Sequence, residues 1–287
     1  MTPPALERRR AHLLLELACL GFAGLGLLLA CFGHTALFGP WRAAVGADLF
    51  GAGGIPADLG PFLRTTDAIL GGSIIGKWVA AWFLVHHGVR AGRRWAWLAL
   101  LAGHGTWFLL DSGRSLALGV PSNVLLINLF PGIGFLALLL WGRPGSWTPP
   151  TVSAPRPAWR WMTAACAASV GIGLGVVFAP RSPPFAVYNA ALHARFGVSE
   201  AVVTWELFAY ALVGATFTAQ FVMLWWAAAA ERGAPWVGRA VIASVLAWFC
   251  VDSVGCALQG AWFNIALVNV PSLLLVALPW WLAVRPR

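Results

Sequence analysis

Charged side chains are scarce in this chain of 287 residues. Asp, Glu, Lys and Arg together make up 10% of the sequence, whereas they make up roughly a quarter of an ordinary soluble domain. Hydrophobic residues make up 60%, and the mean hydropathy is +0.77. These values exclude a nucleic-acid reader, a secreted disulfide scaffold and a disordered tail, and they predict a membrane protein.

Cysteine is also scarce, and its spacing follows no motif. All five cysteines lie inside predicted helices without a Cys-x-x-Cys pair: Cys19, Cys31, Cys166, Cys250 and Cys256. We expect them to pack as small hydrophobic residues rather than to form disulfides or a metal cluster. The chain lacks a phosphate-binding glycine loop, a nucleophile elbow, zinc-ligand spacing and histidines placed for haem, so no cofactor or metal is expected.

The apolar runs are long enough to cross a bilayer, because about 20 helical residues span about 30 Å of hydrocarbon. Glycine, proline and charged residues divide the chain into eight predicted spans: 12–38, 62–88, 94–119, 121–142, 159–180, 199–230, 236–260 and 262–284. The predicted fold class is therefore all-α, a polytopic membrane protein of eight transmembrane helices. A cleaved lipoprotein signal ending at Cys31 is the disfavoured alternative, since the apolar run continues past that cysteine.

Arginines are distributed unevenly between the two ends of the predicted spans. Most lie on the side of both termini, and only four lie opposite: Arg42, Arg64, Arg181 and Arg195. The positive-inside rule then predicts a multi-pass protein of the cytoplasmic (inner) membrane with both termini in the cytoplasm. We attribute the formal charge of +9 to arginines that orient the chain in the lipid bilayer, and we expect no nucleic-acid partner.

A repeat with an offset of 141 residues is the strongest signal in the sequence. It aligns Asp111-Ser112 with Asp252-Ser253, and it extends through further pairs: Trp107/Trp248, Phe108/Phe249, Gly119/Gly260, Asn123/Asn264 and Asn128/Asn269. We predict two parallel four-helix repeats, 1–142 and 159–287, joined by a cytoplasmic linker at 143–158 and related by a pseudo-twofold axis along the membrane normal. A fused pair of this kind does not require an oligomer.

Each half also has a long segment between its first and second predicted spans, on the outer side. In the second half, Phe185, Tyr188, Leu192 and Phe196 recur at helical spacing, which predicts an amphipathic helix at the outer interface. The corresponding segment 39–61 is rich in glycine, and we expect it to be irregular.

The polar residues inside the predicted spans are the candidates for a functional site, because a charge at depth in a bilayer is costly. Counting along the helices places most of them in the outer half of the membrane, as one set in each half of the sequence. The first set is Asp67, Asp111, Arg114, Asn123 and Asn128, and the second is Glu206, Asp252, Asn264 and Asn269. The structural alternative is that the carboxylates of Asp111 and Asp252 accept hydrogen bonds from these asparagines and hold two helical hairpins together.

Lys77 is the exception in depth, close to the middle of the bilayer. Lys77, His104 and Arg114 occur only in the first half, whereas the offset places Thr218, Val245 and Gly255 in the second. Arg114 lies one turn from Asp111, which allows a local ion pair. Lys77 has no acid one turn away, so it must be neutral, snorkel, face water, or pair with an acid on another helix such as Glu206 or Asp252.

Three functions are compatible with these residues. The first is a transporter with a small hydrophobic or ionic ligand bound between the repeats, using Asp67, Lys77 or Glu206 for a proton or ion. The second is a membrane enzyme acting on a lipid or isoprenoid, with Lys77, Asp111 or Glu206 as acid or base. The third is an accessory or lipid-binding subunit. Transport ranks first, although no span contains an evident break.

Overall fold

A computed structural model describes residues 5–144, 157–231 and 233–284, so most of the predicted linker lies outside the described residues. The described residues form helices and turns, with no strand among them. Their α-helices are, in chain order, α1 Ala5–Phe32, α2 Gly39–Phe50, α3 Gly60–Phe83, α4 Arg94–Ala117, α5 Pro121–Asn123, α6 Leu129–Trp141, α7 Pro157–Phe178, α8 Ala186–Phe196, α9 Glu200–Ala230, α10 Pro235–Leu258, α11 Trp262–Asn264 and α12 Val270–Val284.

Within the described residues, seven continuous helical segments are long and apolar enough to cross a membrane: Leu6–Phe32, Ala57–Val89, Pro121–Trp141, Pro157–Phe178, Glu200–Ala230, Pro235–Leu258 and Trp262–Trp281. These segments confirm the predicted class, an all-helical multi-pass membrane protein. The remaining predicted span coincides with α4, whose 24 residues are about 36 Å long. Because α4 carries Arg94, Asp111 and Arg114, it is less apolar than the seven, and the count of eight spans stays a prediction.

Three helices pass through a π turn, in which each hydrogen bond skips one residue more than in an α-helix. Leu84–Val89 extends α3, Val124–Asn128 joins α5 to α6, and Ile265–Asn269 joins α11 to α12. The last two π turns end at Asn128 and Asn269, which the sequence repeat aligns. The spans that we expected to be unbroken are continuous in path, but their hydrogen-bond pattern changes at these asparagines.

The two most buried of the described helices, α3 and α9, lie together at the centre of the bundle. The first, α3, packs against α1, α9 and α10, whereas α9 packs against α7, α3 and α4. Each central helix therefore contacts a helix of its own half and a helix of the other half.

Glycines allow the close contacts that α3 and α9 make with their neighbours. A Cβ added at Gly26 would lie 2.8 Å from the carbonyl oxygen of Gly71, across the contact between α1 and α3. A Cβ added at Gly214 would lie 2.9 Å from the carbonyl oxygen of Gly173, across the contact between α9 and α7. Small residues at such crossings let two helix backbones approach each other in a membrane.

The segments between the first and second spans of each half are partly helical. The helix expected from the spacing of Phe185, Tyr188, Leu192 and Phe196 is present as α8. The expectation for 39–61 was wrong in part, because Gly39–Phe50 forms the 12-residue helix α2. Pro40 lies in the first turn of α2, where its missing N–H costs no hydrogen bond, and the glycines follow the helix as short turns.

Candidate functional site

A buried carboxylate, Asp111 on α4, is the centre of a hydrogen-bond network in the first half. The Nδ2 atoms of Asn123 and Asn128 donate to Oδ1 of Asp111 at 2.8 and 2.6 Å. The same amides also donate to Ser115 and Ser112 of α4 at 3.0 and 3.2 Å. The turn between the helices contains Gly119, whose φ of 74° is readily adopted only by glycine. These are the bonds that the hairpin interpretation predicts.

The second half contains the same network around Asp252 on α10. The Nδ2 atoms of Asn264 and Asn269 donate to Oδ1 of Asp252 at 2.7 and 2.9 Å. Cys256, at the position aligned with Ser115, also donates to this oxygen, at 3.2 Å. Asn269 additionally donates to Ser253 at 3.0 Å. Cys256 is therefore a hydrogen-bonding member of this network as well as a small buried side chain.

The helices α2 and α8 each supply an aromatic donor to one of these networks. The indole Nε1 of Trp41 donates to Oδ1 of Asn123 at 3.2 Å, and the hydroxyl of Tyr188 donates to Oδ1 of Asn264 at 3.1 Å. Burial raises the pKa of Tyr188 well above its ordinary value, so this hydroxyl stays protonated. Trp41 was not among the predicted site residues, because we expected no helix in that segment.

The same two short helices also pair with the acids at the start of the central helices. Arg42 on α2 forms an ion pair with Asp67 on α3. His193 on α8 lies 2.9 Å from a carboxylate oxygen of Glu206 on α9. Asp67 and Glu206 thus hold α2 and α8 against the bundle, and neither Arg42 nor His193 was among the predicted site residues.

A cavity of about 250 Å³ lies beside the Asp111 network. Lys77, Asp111 and Asn123 line it together with Trp41, Trp107 and mainly aliphatic side chains. The Nζ atom of Lys77 lies 3.7 Å from the ring centroid of Trp107 and 4.5 Å from that of Trp78. Lys77 is the only lysine in the chain and is 2% exposed. Within the described parts of the chain it forms no ion pair, so neither Glu206 nor Asp252 is its partner.

A larger cavity of about 600 Å³ lies beside the Asp252 network. Its charged lining residues are Glu206 and Asp252, and both tyrosines of the chain, Tyr188 and Tyr210, line it as well. Most of the remaining wall is apolar and comes from α3, α7, α9, α10 and the α11–α12 helix. The cavity therefore lies between the two halves of the sequence.

The two cavities have corresponding walls. Trp107, Asp111, Asn123, Leu126 and Ile127 line the first, and the residues 141 positions later, Trp248, Asp252, Asn264, Leu267 and Val268, line the second. Each central helix also contributes to the opposite cavity, through Ser73 of α3 in the second and Thr216 of α9 in the first. The cavities differ in charge, because Lys77 lines only the first and Glu206 only the second.

His104 and Arg114 do not line either cavity. The Nε2 atom of His104 is 3.1 Å from the carbonyl oxygen of Gly132, and its ring packs against Phe135 and Trp107. Arg114 forms no ion pair with Asp111, and its guanidinium lies 6.0 Å from the ring centroid of Phe178. The local ion pair with Asp111, which was one alternative for Arg114, is therefore not formed, and Oδ1 of Asp111 accepts hydrogen bonds from amide donors of the facing helix instead.

Comparison with known proteins gives this chain no relative, since no family model, curated protein or solved structure matches it. Among the described residues, no three His, Cys, Asp or Glu side chains form a group that could hold a metal ion. The function has to be inferred from the two cavities and the residues that line them.

Proposed function

We propose that this integral membrane protein is a carrier of a small amphipathic organic cation, which it binds in the 600 Å³ cavity between its two halves. In this proposal the chain has eight spans in two parallel repeats, and both termini are cytoplasmic. The observation that carries the proposal is the lining of this cavity, which combines acidic and aromatic side chains.

The lining favours a cation with an apolar body. Glu206 is the carboxylate that we assign to the cation, because Oδ1 of Asp252 already accepts hydrogen bonds from Asn264 and Asn269. Phe217, Trp248 and Phe263 are among the aromatic residues of the cavity. A cation gains energy from a nearby carboxylate and from the faces of aromatic rings. An enclosed, mainly apolar site with a few polar groups is also the usual form of a small-molecule site.

The matched walls of the two cavities support the proposed repeat. The pairing of Trp107 with Trp248 and of Asp111 with Asp252 follows the sequence offset of 141. The contacts of α3 with α1 and α10 also parallel those of α9 with α7 and α4. Duplicated transporters bind their substrates at the interface between repeats, near the middle of the bilayer.

The larger cavity is bordered by side chains that reach the outer surface of the bundle. Ile172 on α7 is 47% exposed and Leu267 in the π turn Ile265–Asn269 is 43% exposed, and both line the cavity. An amphipathic solute can therefore approach from the lipid between α7 and the α11–α12 helix. A π turn is a local irregularity at which a helix can change its hydrogen-bond register, so Ile265–Asn269 is the element that we expect to move during transport.

The enzyme hypothesis used Lys77, Asp111 or Glu206 as acid or base, and it would be supported by all three residues around one cavity. Lys77 and Asp111 line the smaller cavity, whereas Glu206 lines the larger one. An acid–base mechanism that uses all three residues on one substrate is therefore not supported by the geometry.

The carrier proposal is tested by uptake of ethidium, an aromatic cation, into proteoliposomes that enclose DNA. We expect wild-type protein to raise the rate at which the enclosed fluorescence increases, and Glu206→Gln to lower that rate at least fivefold. Leu258→Ala, which changes a side chain that is 77% exposed outside the cavity, is the matched control and should not alter the rate. Equal uptake by wild-type and Glu206→Gln protein would contradict the proposal.

A further inference from the structure

We propose that the smaller cavity is a separate site for an anionic amphiphile, whose carboxylate pairs with Lys77 and whose short apolar tail lies among Phe22, Leu25 and Leu29. This site is distinct from the proposed cation site, because it lies beside the Asp111 network and contains neither Glu206 nor Tyr210. The proposal rests on the position of Lys77 and on the residues around it.

Among the described residues, the amine of Lys77 has no hydrogen-bond or ion-pair partner. Its side chain is 2% exposed, and its Nζ contacts within the described residues are the faces of Trp78 and Trp107. An ammonium group has three N–H donors, and the face of an indole is a weak acceptor for them. In this proposal the amine is uncharged while the cavity is empty, and a bound carboxylate beside Nζ supplies the counter-charge and strong hydrogen-bond acceptors for the ammonium ion that forms.

Asp111 does not meet this need, although it lines the same cavity. Its Oδ1 atom already accepts hydrogen bonds from Asn123 and Asn128, and Ser115 donates to it at 3.4 Å. It also forms no ion pair with Lys77. The N–H donors that remain available to a ligand in this cavity are therefore those of Lys77, and the proposed ligand class is a carboxylate.

The walls and the size of the cavity limit the rest of the ligand. Leu70, Ile74, Leu126, Ile127 and Phe130 make most of the wall apolar, which fits a hydrocarbon tail better than a polar one. A volume of about 250 Å³ holds about eight non-hydrogen groups at the roughly 30 Å³ that one water molecule occupies in the liquid. Hexanoate, with six carbons and two oxygens, is the probe of matching size.

The ligand can reach this cavity from the bilayer. Leu126 is 53% exposed and Phe130 is 79% exposed, and both line the cavity at or beside the π turn Val124–Asn128. A carboxylic acid can enter from lipid in its uncharged form and transfer its proton to the amine of Lys77. The products are a carboxylate and an ammonium ion held as a pair, so no net charge has to cross the hydrocarbon.

Because Lys77 is the only lysine, it can be followed individually on the full chain. Reductive methylation with formaldehyde and cyanoborohydride modifies this amine and the amino terminus, and peptide mass spectrometry distinguishes the two sites. We expect hexanoate to slow methylation of Lys77 at least fivefold without slowing that of the amino terminus. Hexan-1-ol and hexylamine, which have the same tail, should give no protection.

Equilibrium binding of radiolabelled hexanoate to purified protein provides the second readout. Lys77→Met should weaken binding of hexanoate at least tenfold. Leu109→Ala, which changes a side chain on α4 that is 70% exposed, should bind hexanoate as wild type does.

Protection of Lys77 by hexylamine or hexan-1-ol as strong as by hexanoate would overturn the proposal, and so would unchanged binding to Lys77→Met. The methylation result on wild-type protein decides the question if Lys77→Met does not fold. Loss of hexanoate binding with intact ethidium uptake would separate this site from the proposed carrier function.

Discussion

The side-chain amide of Asn128 lies 2.6 Å from Oδ1 of Asp111, and this contact ties the end of a π turn to the facing helix. The equivalent contact in the second half, between Asn269 and Asp252, is 2.9 Å long. Both asparagines are fully buried. A π turn exchanges regular α-helical hydrogen bonds for a bulge, and in both halves the side-chain amide at its end compensates by bonding to a carboxylate.

Replacing Asn128 or Asn269 by alanine should destabilise the protein to a similar extent. Each change removes one of the donors to a buried carboxylate, and a hydrogen bond to a charged group contributes about 1.5–3 kcal/mol. Unfolding of the purified variants in detergent measures the loss. Leu125→Ala is the control for Asn128, because Leu125 lies in the same π turn and its side chain is 65% exposed. It should lower the free energy of unfolding much less. A loss at Asn128 equal to that at Leu125 would show that the network does not stabilise the hairpin.

The hydrogen bond from Tyr188 to Asn264 should contribute to stability separately from the carboxylate. Tyr188→Phe removes the hydroxyl and keeps the ring, and a neutral hydrogen bond contributes about 0.5–1.5 kcal/mol. In a double-mutant cycle with Asn264→Ala, the two losses should be less than additive, because both variants break the same 3.1 Å bond. Additive losses would mean that the hydroxyl is stabilised by another group.

The sequence was sufficient to predict the helical class and the Asp–Asn contacts of both hairpins. The reason is that Asp111 and Asn123 are close along the chain and joined by a short turn, so helical geometry alone brings them together. The same reasoning failed for Lys77, whose neighbours Trp107 and Asp111 come from another helix. Which side of α3 faces α4, α9 or a cavity depends on the packing of the whole bundle, which no local spacing determines.

The offset of 141 residues also does not hold along the whole chain. Leu70 and Ile74 on α3 line the first cavity, and Val213 and Phe217, which are 143 positions later on α9, line the second. With that offset Lys77 corresponds to Gln220, not to Thr218. Gln220 donates to Ser244 at 2.7 Å and lies outside the second cavity, so the cationic group is specific to the first.

Alanine at Gly71 or Gly214 should weaken the contacts of the central helices. The added Cβ would meet backbone atoms of the facing helix, including Ala30 N at 2.8 Å from position 71 and Gly173 O at 2.9 Å from position 214. Backbone cannot move aside as a flexible side chain can, so we expect a loss of about 1–3 kcal/mol for each variant, as for other overpacked sites.

Two other glycines provide the control for these substitutions. A Cβ at Gly21 or Gly171 would have no neighbour within 4 Å, and both positions are helical. Alanine there should leave stability unchanged or raise it by up to about 1 kcal/mol, because alanine favours a helix more than glycine does. Losses of the same size at all four positions would show that helix contact is not the cause.

The position of α4 in the membrane can be tested with single cysteines in a chain whose five native cysteines are replaced by alanine. Ala91 precedes α4 and Pro121 follows it, and both residues are exposed. If α4 crosses the bilayer as proposed, Pro121→Cys should react with an impermeant maleimide added to the outside of right-side-out vesicles. Ala91→Cys should react only after the vesicles are opened, since it lies at the end that is rich in arginine, with Arg90 and Arg93.

Labelling of both cysteines from the same side would exclude a crossing by α4 and with it the eight-span arrangement. Labelling of Ala91→Cys alone from outside would show that the orientation is the reverse of the one proposed.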